Sequence, residues 1–129
     1  MLVNAGAVCE QLVGQQLLLS GAFYEEPSLH CWMRDKPNSS AEVDYLLAHG
    51  SHVIPVEVKA GATGRLKSLQ LFLSEKNRDF GMRFNSDVPS LLDTRTPLVD
   101  GHTRPFRLLS LPFYLIGQTH RLCAEALDR

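Results

Sequence analysis

Asp44, Glu57 and Lys59 are the side chains whose types and spacing best suit chemistry in this sequence. They lie in two alternating segments, Glu42-Val43-Asp44-Tyr45-Leu46-Leu47-Ala48 and His52-Val53-Ile54-Pro55-Val56-Glu57-Val58-Lys59, joined by a short turn. Alternation argues for strands, and Gly50-Ser51 is a favoured two-residue turn with glycine first, so the pair reads as a β-hairpin. Counting outward sets His49 opposite His52, Ala48 opposite Val53, Asp44 opposite Glu57 and Glu42 opposite Lys59. Side chains alternate across a strand, so Glu42, Asp44, Glu57 and Lys59 are expected on one face. Opposed carboxylates repel, and one of them normally takes up a proton. A divalent cation between them removes that cost, because hard cations take oxygen ligands. The spacing therefore points to a cation site with a lysine beside it.

Several elements must position this site. Residues 2–19 are expected to form a helix, stopped by Ser20-Gly21. Its apolar and small-residue stripe runs through Val3, Gly6, Ala7, Glu10, Val13, Gly14 and Leu17. Glu10 on that stripe needs a partner; it pairs with a cation, lies at the margin, or overhangs the hairpin carboxylates. Leu29 to Arg34 reads as a strand and residues 35–40 as an exposed loop dense in turn formers. Pro55 cannot donate a ladder bond, and a bulge there would shift Asp44 relative to Glu57.

Arg65 to Lys76 reads as a helix with Leu66, Leu69, Phe72 and Leu73 inward, and Asp79 to Phe84 as a strand reached by a crossover. Residues 85–105, with Pro89, Pro97 and Pro105, are expected to be mostly loop. Phe106 to Ser110 reads as a last strand, and Pro112 can open a helix running to Leu127. The apolar run 108–116 must be buried, within the domain or against a partner. The pattern is α/β, with α+β as its variant: helices covering a mixed sheet.

A chain of 129 residues with 44% apolar content suits one folded domain over residues 1–129. No run approaches the ~18 apolar residues that span a bilayer, and Met1-Leu2-Val3-Asn4 lacks the basic start of a signal peptide. Three widely spaced cysteines, Cys9, Cys31 and Cys123, support neither a disulfide framework nor a CxxC metal site, and a reducing cytoplasm is the simplest compartment. The net charge of -1 is unevenly spread. Residues 1–58 carry two basic and seven acidic side chains, whereas residues 59–83 carry six basic (Lys59, Arg65, Lys67, Lys76, Arg78, Arg83) and two acidic. An acidic cluster beside a basic flank suits a metal-dependent enzyme acting on a phosphodiester, although a solvated basic helix face accounts for the charge equally well. Arg65 and Lys67 are the candidate nucleic-acid contacts. The stretch Gly61 to Ser68 ends like a Walker A loop, but Leu66 stands where the second glycine is required, so ATP binding is not expected.

Taken in order, Glu10, Asp44 and Glu57-Val58-Lys59 resemble the PD-(D/E)xK nuclease superfamily. More specifically, Gly6 to Val13, Trp32-Met33-Arg34, Glu42 to Tyr45, Pro55 to Gly61 and Leu66 to Leu69 resemble the uncharacterised C-terminal domain of many bacterial and archaeal AAA-type ATPases. That resemblance covers residues 1 to about 84, with a weaker echo at Leu111 to Leu115. It implies a restriction-endonuclease-like mixed central sheet flanked by helices. It implies Mg²⁺ or Mn²⁺ held by Asp44, Glu57 and the Val58 carbonyl. Lys59 would position or help deprotonate the attacking water, and Glu10 would reach the metal through water. The implied reaction is cleavage of DNA or RNA phosphodiesters. The alternative is a catalytically degenerate interaction module that docks an AAA-type ATPase in cis or in trans, with 108–116 as a candidate homo-oligomeric contact. The same resemblance raises a fragment lacking an N-terminal ATPase domain. Gln70 only partly matches the glutamine and tyrosine that follow the lysine in RecB-type relatives.

Overall fold

The computed structural model describes residues 5–19, 30–33, 41–61, 66–98 and 100–129. Its elements are α1 (Ala5–Leu19), β1 (His30–Met33), β2 (Glu42–His49), β3 (His52–Val58), α2 (Lys67–Glu75), β4 (Phe80–Asn85), β5 (Ser90–Pro97), β6 (Thr103–Pro112), a 3-10 segment (Phe113–Gln118) and α3 (Thr119–Leu127). The strands form one six-stranded sheet in the order β1-β2-β3-β4-β6-β5. β3, β4 and β6 are parallel, while the β1–β2, β2–β3 and β5–β6 pairs are antiparallel. This is the expected α/β architecture with a mixed sheet.

The hairpin turn works because Gly50 takes φ +58°, which an L side chain resists, while Ser51 stays at negative φ. The counted register holds from His49–His52 to Tyr45–Val56. Pro55 causes no bulge. It pairs with Leu46, and its nitrogen faces β4 one residue before the β3–β4 pairs begin at Val56–Met82. A proline there forfeits no registered ladder bond.

The bulge lies in β2 instead. Against β1, His30 pairs with Leu46 but Trp32 pairs with Val43, so Asp44 and Tyr45 together oppose Cys31. The extra residue turns Val43 and Tyr45 to opposite faces. Val43 packs with Leu69, Phe72 and Leu73 of α2, and Trp32 meets Phe72 edge-on at 5.4 Å. Tyr45 packs on the other face with Val13 and Leu17 of α1. The expectation that Glu42, Asp44, Glu57 and Lys59 share one face is therefore corrected. Glu42 pairs with Met33, and no Glu42–Lys59 ion pair forms among the described residues.

Helices cover both faces. α1, the 3-10 segment and α3 supply Val13, Leu17, Ile116, Cys123 and Ala126 to a core with Ile54, Val56, Met82, Phe84, Leu109 and Leu111. α2 closes the opposite face over Phe106, Leu108 and Val43. The apolar run 108–116 is thus consumed by the chain's own core; Leu108, Leu109, Leu111 and Ile116 are buried, and Tyr114 alone stands well out at 79% exposure. It offers no continuous docking face.

The expected loop over 85–105 contains β5 and the start of β6. β5 is an edge strand in which only Thr96 is buried, so its sequence lacks the apolar alternation of an inner strand. Its prolines fall where an edge tolerates them, Pro89 just before it and Pro97 at its last position.

Candidate metal centre and flanking cations

Asp44 and Glu57 meet where β2 leaves β3. Beyond Tyr45–Val56 the ladder has no further registered pair, and the Val58 N–H donates instead to Asp44 Oδ2 at 2.8 Å. The bulge turns the Asp44 carboxylate toward β3, and the carboxylate replaces a main-chain acceptor. A strand residue points its N–H and C=O the same way, so the Val58 carbonyl opens toward the same gap. The complementary alternation is visible at Lys59, whose N–H turns to β4 and donates to the Phe84 carbonyl at 2.8 Å.

Glu57 is only 6% exposed. Burial pushes its carboxyl up to about 8, and the Asp44 charge, a side-chain hydrogen bond with Asp44 and the Glu10 charge add to that rise, with Lys59 opposing it. At neutral pH Glu57 therefore keeps its proton. Lys59 Nζ stands 3.9 Å from Glu57 Oε2 and is less buried than its partner, which places the ammonium between the carboxylate and solvent.

Glu10 is exposed on α1 and does not lie in a buried stripe. Among the described residues of the expected stripe, only Val13, Gly14 and Leu17 are buried, and Val3 lies outside them. Partial desolvation, then the charges of Asp44 and Glu42, raise the Glu10 carboxyl above its ordinary value, so it lies within electrostatic reach of the site. Tyr45 fixes this arrangement. Its hydroxyl donates to the Glu10 carbonyl at 2.8 Å, and its ring lies against Gly14, where a Cβ would collide with Oη. Desolvation and the charges of Glu10, Asp44 and Cys31 also raise the phenol. Nothing in the sequence marked Tyr45 for this role except its place one residue after Asp44.

The structure brings together Asp44, Glu57, Val58 and Lys59, with Glu10 at the rim. Lys67 is exposed at the first turn of α2, and Arg65 lies outside the described residues. Among the described residues, no group of three or more His, Cys, Asp or Glu side chains is placed to hold a metal ion. The donor set here is smaller: two carboxylates and one main-chain carbonyl. An all-oxygen set of this kind is of the chemistry that hard divalent cations such as Mg²⁺ and Mn²⁺ take as ligands.

The other reactive types are accounted for elsewhere. His49 and His52 pair across the turn, and His49 stacks on His120 at 6.1 Å. Cys123 is buried against Met82, and burial pushes its thiol up to about 12, far from a reactive thiolate. Cys9 is half-buried and packs against the larger core, and Cys31 is exposed on β1. Arg83, visible in the sequence only as part of the basic stretch, is brought beside Glu57 by the β3–β4 register.

A family model described as a domain of unknown function, DUF4143, matches residues 5–99. The chain belongs to the DUF4143 family. The matched DUF4143 segment runs from α1 through β5 and contains Glu10, Asp44, Glu57 and Lys59, while β6, the 3-10 segment and α3 lie beyond it. No curated protein and no solved structure matches the chain. No helix among the described residues is long and apolar enough to cross a membrane.

Proposed function

We propose that this DUF4143 chain is a metal-dependent phosphodiesterase of the PD-(D/E)xK nuclease type, acting on DNA or RNA. The observation that carries the reading is the Asp44–Glu57 pair at the end of the β2–β3 ladder, with Lys59 Nζ 3.9 Å from Glu57. A mixed sheet flanked by helices also suits a restriction-endonuclease-like fold. Asp44, Glu57 and the Val58 carbonyl would hold Mg²⁺ or Mn²⁺, which supplies Lewis acidity and a water of lowered pKa when bound. Glu57 would have to be deprotonated to serve as a ligand, with the cation then supplying the neutralising charge. Lys59 holds the attacking water by hydrogen bonding and offsets negative charge developing on the phosphoryl oxygens. Glu10, out of direct contact, orients outer water.

The test is a nicking and cleavage assay on duplex, branched and single-stranded DNA with Mn²⁺, run beside melting curves. Wild type should cleave, and Lys59→Ala should lose about 10²–10³-fold in rate. Mn²⁺ should raise the wild-type melting temperature, and Asp44→Ala should abolish the rise. Equal activity in wild type and Lys59→Ala would mean a contaminating nuclease.

A second reading is a degenerate module of the same fold that docks an AAA-type ATPase. It is favoured by one observation, the outward apolar residues Val8, Leu12 and Leu19 of α1, at 55%, 44% and 73% exposure on one helical face. A metal-induced melting shift without cleavage of any substrate would select it.

A further inference from the structure

Among the described residues, Arg83 is a half-buried cation held without a counter-charge. It lies in register with Glu57 on one side and Ser110 on the other, so the three occupy one row across β3, β4 and β6. The row faces α2, because Gly81, two residues earlier on β4, abuts Leu69, and Leu108, two residues earlier on β6, packs in the α2 core. Ser110 is 1% exposed, and its hydroxyl accepts from Arg83 Nε at 3.2 Å. That contact uses one of the five guanidinium N–H donors. The other described arginines with side-chain partners are engaged differently: Arg107 on the Ala126 carbonyl, Arg121 on Glu125, Arg95 on Thr103 and Arg104 on Asn77. Among the described residues Arg83 forms no ion pair, and its terminal nitrogens have no hydrogen-bond partner, although partly desolvating an unpaired cation is costly.

We infer that Arg83 is an anion-holding residue of the same site, gripping a phosphate of the nucleic acid next to the one that Lys59 and the metal engage. The inference rests on the phosphodiesterase reading and sharpens it by fixing the direction of the bound strand. Successive strands lie about 4.8 Å apart, so Glu57, Arg83 and Ser110 mark a line across the sheet from β3 toward β6. Ser110 tethers Nε, which leaves the terminal nitrogens to make the bidentate contacts that phosphate oxygens favour. Lysine at this position would keep the charge and lose the fork.

The experiment is fluorescence anisotropy with labelled single-stranded and duplex oligonucleotides across a salt series. Ca²⁺ replaces Mg²⁺ so that binding is read apart from cleavage, and Mn²⁺ melting curves are recorded on the same proteins. Arg83→Gln should weaken binding about tenfold and reduce the slope of log affinity against log salt by about 1. Its Mn²⁺-induced melting shift should stay at the wild-type value. Arg83→Lys should keep the slope and lose part of the affinity. Ser110→Ala, which frees the guanidinium without removing charge, should weaken binding about two- to threefold at unchanged slope, and it carries the test if Arg83→Gln fails to fold. Wild-type affinity and slope in Arg83→Gln, or unchanged affinity in Ser110→Ala, would overturn the inference while leaving the phosphodiesterase reading standing. Loss of the Mn²⁺ shift in Arg83→Gln would overturn it in favour of a role in the metal site or the fold. A wild type that binds no oligonucleotide would overturn both.

Discussion

At the carboxyl ends of β3 and β4, Glu57 keeps a proton against Asp44, and Arg83 lies half-buried with no ion pair among the described residues. At the amino ends of the parallel strands, Arg107 meets the opposite treatment. Its guanidinium donates to the Ala126 carbonyl at the end of α3 and lies 5.9 Å from the Phe80 ring centroid, while its main-chain N–H donates to Asp79. A cation near a helix C-terminus complements the helix dipole, and its position over an aromatic face adds to that. A cleft of about 430 Å³ lined by His52, Asp79, Phe80, Asp93 and Arg107 among others is also at this end. The other end differs: a buried carboxyl is kept protonated beside a second carboxylate, at a cost to the fold.

If that contrast is right, Glu57 destabilises the metal-free protein, and removing its charge should help. Its folded-state pKa of about 8 exceeds the ordinary 4.5. Between those values the folded state binds a proton that the unfolded state has lost, so stability falls as pH rises through this window. Metal-free wild type should lose on the order of 2–4 kcal/mol between pH 4.5 and pH 8 from this group. Glu57→Gln should lack that component and be the more stable protein at pH 8, by urea denaturation at several pH values. An identical pH slope in the two proteins would break the comparison.

Arg107→Ala is the reverse case. It should cost about 2–3 kcal/mol through the lost charge-assisted hydrogen bond and ring contact, and leave the Mn²⁺-induced melting shift untouched. A loss of metal response in this variant would show that the two ends are coupled. The smallest effect is expected at Gly14→Ala. Alanine favours the helix by ~1 kcal/mol, but its Cβ would push Tyr45 off α1. The net should be a destabilisation of about 1–2 kcal/mol, accompanied by a fall in the raised Glu10 pKa, read by NMR titration, as α1 moves away from Asp44.

The turn and the register from His49–His52 to Tyr45–Val56 were legible because a glycine-led two-residue loop leaves little freedom in the count. Legibility stopped at Asp44. Val43 and Tyr45 are both apolar and fit either face, so an extra residue between them breaks no visible pattern. It was the β1 pairing, and α2 drawing Val43 to its own side, that decided the bulge. Pro55 was the expected point of failure and proved harmless, since parallel pairing begins one residue later. Glu10 was placed on the right helix but on too long a stripe, because α1 is apolar around most of its circumference and its buried arc begins only at Val13. β5 was missed because an edge strand need bury almost nothing. Arg83 could not be singled out without knowing which strand lies beside β3.

The margins of the sheet carry a consequence for assembly. An open strand is a template on which another chain can extend the ladder. β5 presents exposed Asp93 and Arg95 and ends in Pro97, and β1 spans only four residues beside a bulge. The β5 ladder is unbroken for eight residues, so that rim is guarded by its charged side chains and terminal proline rather than by shortness or a bulge. A second chain adding to β5 would have to accommodate Asp93 and Arg95, so side-chain charge, more than main-chain geometry, guards that rim against a growing ribbon.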